Sequence, residues 1–349
     1  MTVLYLLLAV LAFGVMILLH ELGHFLTARA FGVTVKEFSI GMGPSLLSHT
    51  SKKTGIVYKI SLLPIGGYVS MAGEDEESDD PNALNKKPAW QRLVIMAAGG
   101  VTNLVTGFLM MLLCVALVAD SLAAPTVDRF PVREDGRPTA SYTAGLREGD
   151  RILSVDGRRV RIGAELDYEI MRRGIAPVTL VVERGGEELV FESFSFPTYV
   201  ESNQRLGGRD FYLTAEEGTL GNVLRHAFIR SVMTVRMVWE SLYDLVTGRF
   251  GLDAVSGPVG VTSAMVETAR TGAVNFLYLV AVISLNLGVI NLFPLPALDG
   301  GRILFLGIAA VIRRPIPERV EGAIHFFGIL ALFALMILIT GKDILNLIR

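Results

Sequence analysis

Residues 18–24 read "LLHELGH" and place two histidines and a glutamate at the end of an apolar run. On a helix, His20 and His24 are one turn apart, so both imidazoles can reach the same metal ion. Glu21 lies one position further round, where its carboxylate can contact water held by that ion. A His-Glu-x-x-His pattern is typical of two zinc ligands and a general base. Because polar groups are costly in an apolar segment, the pattern favours a metal site over a chance cluster.

A catalytic zinc site usually has a third protein ligand, and Asp299 is the best candidate in the sequence. It lies in "NLFPLPALDGGR" (291–302), within a later apolar segment and among helix-breaking prolines and glycines. An acid at membrane depth needs a cation or a donor, which leaves two explanations: a metal ion, or pairing with Arg302. The other histidines are His49, His226 and His325, and none of them is as well placed in the sequence.

The same stretch, 291–302, predicts a break in the third apolar segment. Irregular backbone at membrane depth is tolerated only against protein or a water-filled cavity. Asn286 and Asn291 supply amides that could hydrogen-bond an extended peptide there, or that could equally join two helices. Asn103, in the preceding apolar segment, has the same two explanations.

The composition indicates a membrane protein. Of the 349 residues, 51% are hydrophobic and 19% are charged, and the mean hydropathy is +0.50. A helix of about 20 apolar residues spans a hydrocarbon core. The sequence predicts four such helices, within 1–31, 92–119, 274–310 and 323–341. A net charge of −2 indicates no nucleic-acid partner, and the single cysteine, Cys114, excludes a disulfide framework and a cysteine-based zinc site.

Basic residues in the short loops predict the orientation. Six lysines fall within 32–91 and three arginines in the loop before the last span, whereas no basic residue precedes the first span. By the positive-inside rule both loops are cytoplasmic. Both termini, and the long segment between the second and third spans, are therefore expected outside.

Three segments outside the spans have patterns of their own. Residues 32–91 contain two strand-like stretches that predict a small β element beside the membrane. Residues 120–200 have the alternating short strands and single helix of an α+β domain. Residues 201–273 are predicted to be a linker with an amphipathic helix over 219–247. That helix either lies on the outer membrane surface or packs on the α+β domain.

These motifs together resemble those of the site-2 proteases, a family of intramembrane zinc metalloproteases. "HELGH" in the first span and "NLFPLPALDGG" in a later span carry the resemblance, and "FSIGMGP", "LLPIGGYV" and "SGPVGV" are similar to stretches of the bacterial RseP/RasP branch, in the same order. "AGLREGDRILSVDG" looks like the PDZ domain that this branch inserts between its second and third spans. The resemblance covers nearly the whole chain.

The resemblance implies a polytopic α-helical protein of the bacterial cytoplasmic membrane. Its four transmembrane helices would carry a membrane-associated β element and an inserted extracytoplasmic α+β PDZ domain at 120–200. The implied cofactor is Zn²⁺, with His20, His24 and Asp299 as its ligands and Glu21 as the catalytic base. Substrate-binding roles are implied for the residues that match asparagines and prolines of the family: Asn286, Asn291, Pro294 and Pro296.

The implied activity is cleavage of transmembrane segments in single-span proteins within the lipid bilayer, such as anti-sigma factors already trimmed outside or remnant signal peptides. The PDZ domain would exclude untrimmed proteins by size or capture a peptide C-terminus. Two features depart from the family: Gly100 stands where a proline is frequent, and 120–200 has room for one PDZ domain, whereas some members have two.

Two other functions remain open. The first is a membrane-anchored PDZ adaptor with a structural or vestigial metal site, although such a site would not need Glu21. The second is a metal transporter, which usually shows several ionisable residues along a path and often repeated halves, whereas this sequence has one cluster and no repeat.

Overall fold

The structure is a computed structural model that describes residues 2–74, 78–132, 136–201, 204–248, 255–314 and 316–348. Within these ranges four helices are long and apolar enough to cross a membrane. They are α1 (Thr2–Ala30), α2 (Ala89–Leu117), α7 (Ala273–Asn291) and α9 (Glu318–Ile348). The chain forms two compact units: residues 1–110 together with 234–349, and residues 111–233.

The third predicted span, 274–310, is two helices rather than one. Helix α7 ends at Asn291, and α8 (Asp299–Ile312) begins after an irregular stretch. Prolines interrupt a helix because they lack an N–H group and restrict the residue before them, and this stretch contains Pro294 and Pro296. Its Ala297 has a φ of 73°, and the Ala297 N–H donates to His325 Nδ1 at 2.9 Å. The predicted break is present, and a histidine of α9 stabilises it.

Small residues bring α1, α2 and α7 into close contact. A Cβ on Gly23 of α1 would lie 2.6 Å from the Ala98 carbonyl oxygen of α2, and one on Gly288 of α7 would lie 2.8 Å from the Gly100 carbonyl oxygen. Such positions let helix backbones approach where side chains would keep them apart. Gly100 therefore serves here as a contact between α2 and α7.

Between α1 and α2, strands β1 (Val35–Thr50) and β2 (Val57–Met71) form the predicted β element. The first half of β1 pairs with both ends of β2, so that Phe38 faces Val69 on one side and Tyr58 on the other. The second half of β1 pairs again with the start of β2. Residues 67–71 consequently form an edge of this layer. Several apolar side chains of the layer are exposed, as expected for contact with lipid: Met42, Leu46, Leu47 and Leu62.

A helix that the sequence analysis did not predict, α6 (Pro258–Thr271), begins within "SGPVGV". Asp343 of α9 accepts hydrogen bonds from the Gly257 and Gly260 N–H groups at 2.9 and 2.8 Å. These bonds satisfy donors at the helix start that have no intrahelical partner. Buried Met265 of α6 then packs in one cluster with residues of α1 and α7.

The second unit contains a sheet of strand order β10-β3-β4-β6-β7, with β5 paired to β4. Ile152, Leu166, Leu180 and Phe194 are central to its buried core. The sheet extends beyond residue 200, where the sequence analysis ended this domain, because β10 pairs with β3. The elements are β3 (Leu122–Val127), α3 (Ala140–Thr143), β4 (Arg151–Val155), β5 (Arg158–Arg159), α4 (Gly163–Arg173), β6 (Val178–Arg184), β7 (Glu187–Phe194), β8 (Thr198–Glu201), β9 (Gln204–Gly207) and β10 (Leu213–Glu216).

The predicted amphipathic helix is α5 (Leu220–Val246). In the part of α5 that belongs to the second unit, a polar residue is on the buried side: His226 is 1% exposed and its Nε2 lies 2.8 Å from Glu216 Oε2. Leu220, Leu224 and Phe228 are exposed instead. The buried side of this part of α5 is otherwise apolar, with Val223, Ala227 and Ile229, so α5 carries apolar residues on both its buried and its exposed faces.

Candidate metal centre

The two histidines of α1 meet the first residue of α8. His20 Nε2 and His24 Nε2 are 3.2 Å apart, and Asp299 Oδ2 lies 3.2 Å from the first and 3.3 Å from the second. Ligands of a tetrahedral zinc with bonds of about 2.0–2.1 Å are separated by roughly 3.3 Å. Within the described ranges, this is the only group of three or more His, Cys, Asp or Glu residues that could hold a metal ion. Its size fits zinc.

The Asp299 carboxylate has the environment of a ligand. Its Oδ2 atom is inaccessible to solvent and makes no hydrogen bond to any residue that the structure describes. Arg302, the partner that the sequence left open, pairs with Glu74 instead. A buried carboxylate oxygen without a donor is costly, and a cation shared with the two imidazoles would remove that cost. The structure thus favours the metal explanation for Asp299.

Hydrogen bonds behind the histidines orient their rings. His24 Nδ1 lies 2.8 Å from the Ile95 carbonyl oxygen, which can only accept, so Nδ1 carries the proton and Nε2 has its lone pair free. His20 Nδ1 lies 3.3 Å from the Asn103 amide and 3.4 Å from the Asn291 amide.

The Asn103 side chain fits the same role when its amide is turned over. Its Oδ1 is buried and makes no hydrogen bond within the described ranges, and Nδ2 is the atom that faces His20. The two atoms of an amide are assigned from the hydrogen-bond network. A 180° rotation lets Oδ1 accept from the His20 Nδ1–H and frees Nε2 for a metal. Asn103 is therefore part of the site, which the sequence left undecided.

Helix α2 places a glycine, Gly99, beside the two histidines. A Cβ on Gly99 would lie 2.6 Å from His20 Cε1 and would collide with His24 Nε2. The space that a zinc ion and its ligands need is available only because this residue is glycine. The sequence did not single out Gly99, because its approach to the imidazoles depends on how α1 and α2 pack.

Glu21 and the three candidate ligands line one cavity of about 200 Å³. The edge strand of the β layer forms part of its wall, because Tyr68 and Val69 also line it. A Cβ on Gly67 would lie 3.2 Å from Glu21 Cγ, so the strand passes directly beside the carboxylate. Glu74, which pairs with Arg302, lines the cavity as well and was not singled out from the sequence. The arrangement can hold a water molecule and an extended peptide beside one carboxylate base.

The four predicted substrate-binding residues lie around the break after α7. Asn291 contacts His20 through the 3.4 Å approach described above, and Asn286 is half-buried with an Oδ1 that makes no hydrogen bond in the described structure. Pro294 is exposed, and Pro296 packs closely on Gly328 of α9. None of the four is among the described residues that line the cavity, so their substrate-binding roles stay predictions.

Comparison with known proteins agrees with this geometry. The family model of peptidase family M50 matches residues 8–335. The chain belongs to peptidase family M50. It is 29% identical to the regulator of sigma-W protease RasP of Bacillus subtilis, across 97% of both chains, and 30% identical to the zinc metalloprotease RasP of Geobacillus kaustophilus, across 96% of both. It is also 35% identical to a Clostridium perfringens protein named as a candidate zinc metalloprotease, across 98% of both.

Membership of the M50 family confirms the predicted site-2 protease type, the metalloendopeptidase activity and the zinc cofactor. The four apolar helices agree with a multi-pass membrane protein. The donor set of the site is consistent with this cofactor, because two imidazoles and one carboxylate are ligands that catalytic zinc uses.

Proposed function

We propose that this M50 protease cleaves peptide bonds inside the bilayer, in the transmembrane segments of single-span membrane proteins. In this proposal His20, His24 and Asp299 hold the zinc and Glu21 is the general base. One observation carries the proposal. The ligand triangle and Glu21 share a cavity, and both histidines and Glu21 lie on a helix long and apolar enough to span a membrane.

The chain's own residues account for most of the chemistry. Zinc held by these ligands would polarise the scissile carbonyl and lower the pKa of a water molecule. Glu21 would accept a proton from the attacking water at a carboxylate oxygen and pass it to the nitrogen of the leaving amine. The Ile95 carbonyl oxygen and the Asn103 amide fix the two rings, so both Nε2 atoms stay directed at one point.

The edge strand at 67–71 supports docking of an extended substrate. A transmembrane helix hides its backbone in its own hydrogen bonds and must unwind before its peptide bonds can be attacked. Residues 67–71 pair with β1 on one side, and none of the described strands pairs with them on the other. A substrate strand added there would gain main-chain hydrogen bonds while lying beside Glu21. We further assign contacts with the unwound substrate to Asn286, Asn291, Pro294 and Pro296.

The second unit fits a screening role in this proposal. Its order of strand, tight turn, helix and hairpin supports a PDZ domain. In this proposal the PDZ domain and both termini of the chain lie outside the membrane. The domain would exclude untrimmed proteins by size or capture a peptide C-terminus. The B. subtilis relative is named as a regulator of a sigma factor, which supports trimmed anti-sigma factors as clients, alongside remnant signal peptides. The four helices that are long and apolar enough to cross a membrane support a location in the bacterial cytoplasmic membrane.

The test is Glu21→Gln, assayed with a single-span model substrate in detergent or proteoliposomes. We expect turnover to fall by about 10²–10⁴-fold, because a general base is lost, while the zinc content stays near one ion per chain. Glu267→Gln is the matched control, since Glu267 is an exposed acid of α6 away from the cavity. Undiminished cleavage by Glu21→Gln would refute the mechanism. A zinc-loaded wild-type protein that binds substrates and cuts none would support the adaptor instead.

A further inference from the structure

The second unit contains a cavity that the proteolytic mechanism does not use. It measures about 360 Å³ and lies between the sheet and α5. Its apolar lining residues include Leu153 and Phe228. The other lining residues are four arginines: Arg151, Arg159, Arg161 and Arg225.

Two of these arginines lack a carboxylate partner among the described residues. Arg161 is paired with Glu165, and Arg225 is paired with Glu216. In the part of the chain that the structure describes, Arg151 and Arg159 form no ion pair, although Glu183 lies opposite Arg151 in the sheet.

The charge of the cavity is consequently unbalanced. Burial lowers the pKa of neighbouring His226, which is therefore uncharged near pH 7. Arg225 Nε is buried and finds no acceptor among the described residues. The cavity thus has two positive charges in excess of its carboxylates and one unmatched donor. Arginines in such a cluster suit a phosphate group, which accepts several charge-assisted hydrogen bonds.

An apolar stripe continues from the cavity along α5. Leu220, Leu224 and Phe228 recur every fourth residue, and they are 76%, 43% and 58% exposed. Phe228 belongs to both the stripe and the cavity wall. A phosphate site that opens onto an apolar stripe matches a lipid, whose headgroup and acyl chains need these two environments side by side.

The start of α5 lies where a membrane span ends. A Cβ on Gly218, two residues before α5, would lie 2.8 Å from Ala119 Cβ, and Ala119 is two residues beyond the end of α2. The stripe therefore begins at the depth where lipid headgroups occur.

From these contacts we propose that Arg151 and Arg159 bind the phosphate of an anionic phospholipid whose acyl chains lie along Leu220, Leu224 and Phe228. The lipid would fix α5 at the membrane surface through charge on one side and apolar contact on the other. This site is separate from the metal centre and does not depend on the proposed cleavage of transmembrane substrates.

The experiment measures phospholipid retained by the full-length protein in mixed micelles of phosphatidylglycerol and phosphatidylcholine, by native mass spectrometry. We expect the wild type to retain phosphatidylglycerol preferentially and Arg151→Gln/Arg159→Gln to retain about tenfold less, because charge-assisted bonds to phosphate are lost. Arg158→Gln is the matched control: Arg158 is the neighbouring exposed arginine of β5 and does not line the cavity. Unchanged zinc content and melting temperature would show that the variants fold.

Further arms separate the lipid from other anions. Phe228→Ala should weaken retention of phosphatidylglycerol and leave binding of inorganic phosphate unchanged, because Phe228 contacts only acyl chains in this proposal. Equal retention of the two lipids, or an equal loss in Arg158→Gln, would overturn the proposal. So would displacement of the lipid by an acidic peptide whose binding is unaffected by Phe228→Ala.

Discussion

Two aspartates with buried carboxylate oxygens, one in each unit, have contrasting environments. Asp150 of the sheet unit is fully buried and accepts from Arg184 Nε and Nη2 at 2.7 Å each, and from the Arg147 N–H at 2.8 Å. Asp299 belongs to the unit formed by residues 1–110 and 234–349. Its Oδ2 is buried, makes no hydrogen bond to any described residue and faces two imidazole nitrogens. One carboxylate is satisfied by the protein, and the other is arranged for a cation.

The contrast separates structural acids from metal ligands better than burial does. A buried acid that stabilises a fold has a positively charged partner, and hydrogen-bond donors meet the lone pairs of its carboxylate oxygens. A ligand has its lone pairs unmet and directed at a shared point, because the protein leaves room for an ion. The same distinction applies to His24, whose Nδ1 is satisfied and whose Nε2 is kept free.

The largest expected effect comes from removing each aspartate in turn. Asp299→Ala should lose stoichiometric zinc and lower turnover by more than about 10³-fold, since a ligand is missing from the site. Asp150→Ala should keep its zinc and destabilise the sheet unit by about 3 kcal/mol, because Arg184 is left without its partner. Arg184 is itself 38% exposed, which places the loss at the low end of the usual range.

Elemental analysis of the purified full-length protein measures the zinc content of both variants. Hydrogen exchange of the amides in β4 and β6 measures the loss of stability in Asp150→Ala. If Asp150→Ala lost zinc as readily as Asp299→Ala, the two aspartates would not differ in the way described. Full zinc in Asp299→Ala would remove Asp299 from the ligand set.

The residues of the candidate metal centre could be predicted to lie together because the evidence was local. Two histidines spaced by four residues must share a helix face, whatever surrounds them. Asp299 could be predicted as a candidate ligand because an acid in an apolar segment, among prolines and glycines, needs a partner. The four apolar helices and the break after Asn291 follow from composition and from proline geometry in the same way.

The parts that could not be predicted depend on contacts between distant residues. The sequence does not show that Gly99 faces two imidazoles or that Arg302 pairs with Glu74. It also does not show that His325 hydrogen-bonds the irregular stretch after α7. Helix α5 shows the same limit. Its two faces could be predicted from periodicity, but the burial of His226 involves Glu216, a residue outside the helix.

A smaller effect is expected from Gly99→Ala, which tests the room left for the ion. The added Cβ overlaps atoms of both histidines, so zinc affinity should fall by up to about 100-fold through overpacking. Alanine also favours a helix by roughly 1 kcal/mol over glycine, which offsets part of the overpacking cost in the zinc-free protein. Gly307→Ala in α8 is the matched control, because a Cβ there meets no atom within 4 Å. Equal zinc affinity in both variants would contradict the close approach of α2.

The smallest effect on zinc affinity should come from substitutions of Asn103. Whether Asn103→Asp raises or lowers the affinity identifies which atom of the amide faces His20. Asn103→Ala should weaken zinc binding by about tenfold, the low end for a residue behind a ligand, because Asn291 also approaches His20 Nδ1. Asn103→Asp should retain or increase the affinity if the natural residue accepts from the Nδ1–H, since a carboxylate is a stronger acceptor. If instead the amide donates to Nδ1, the aspartate would weaken zinc binding at least as much as alanine does. Zinc competition titrations on the two variants distinguish these cases, and the second result would mean that His20 ligates through a different tautomer from His24.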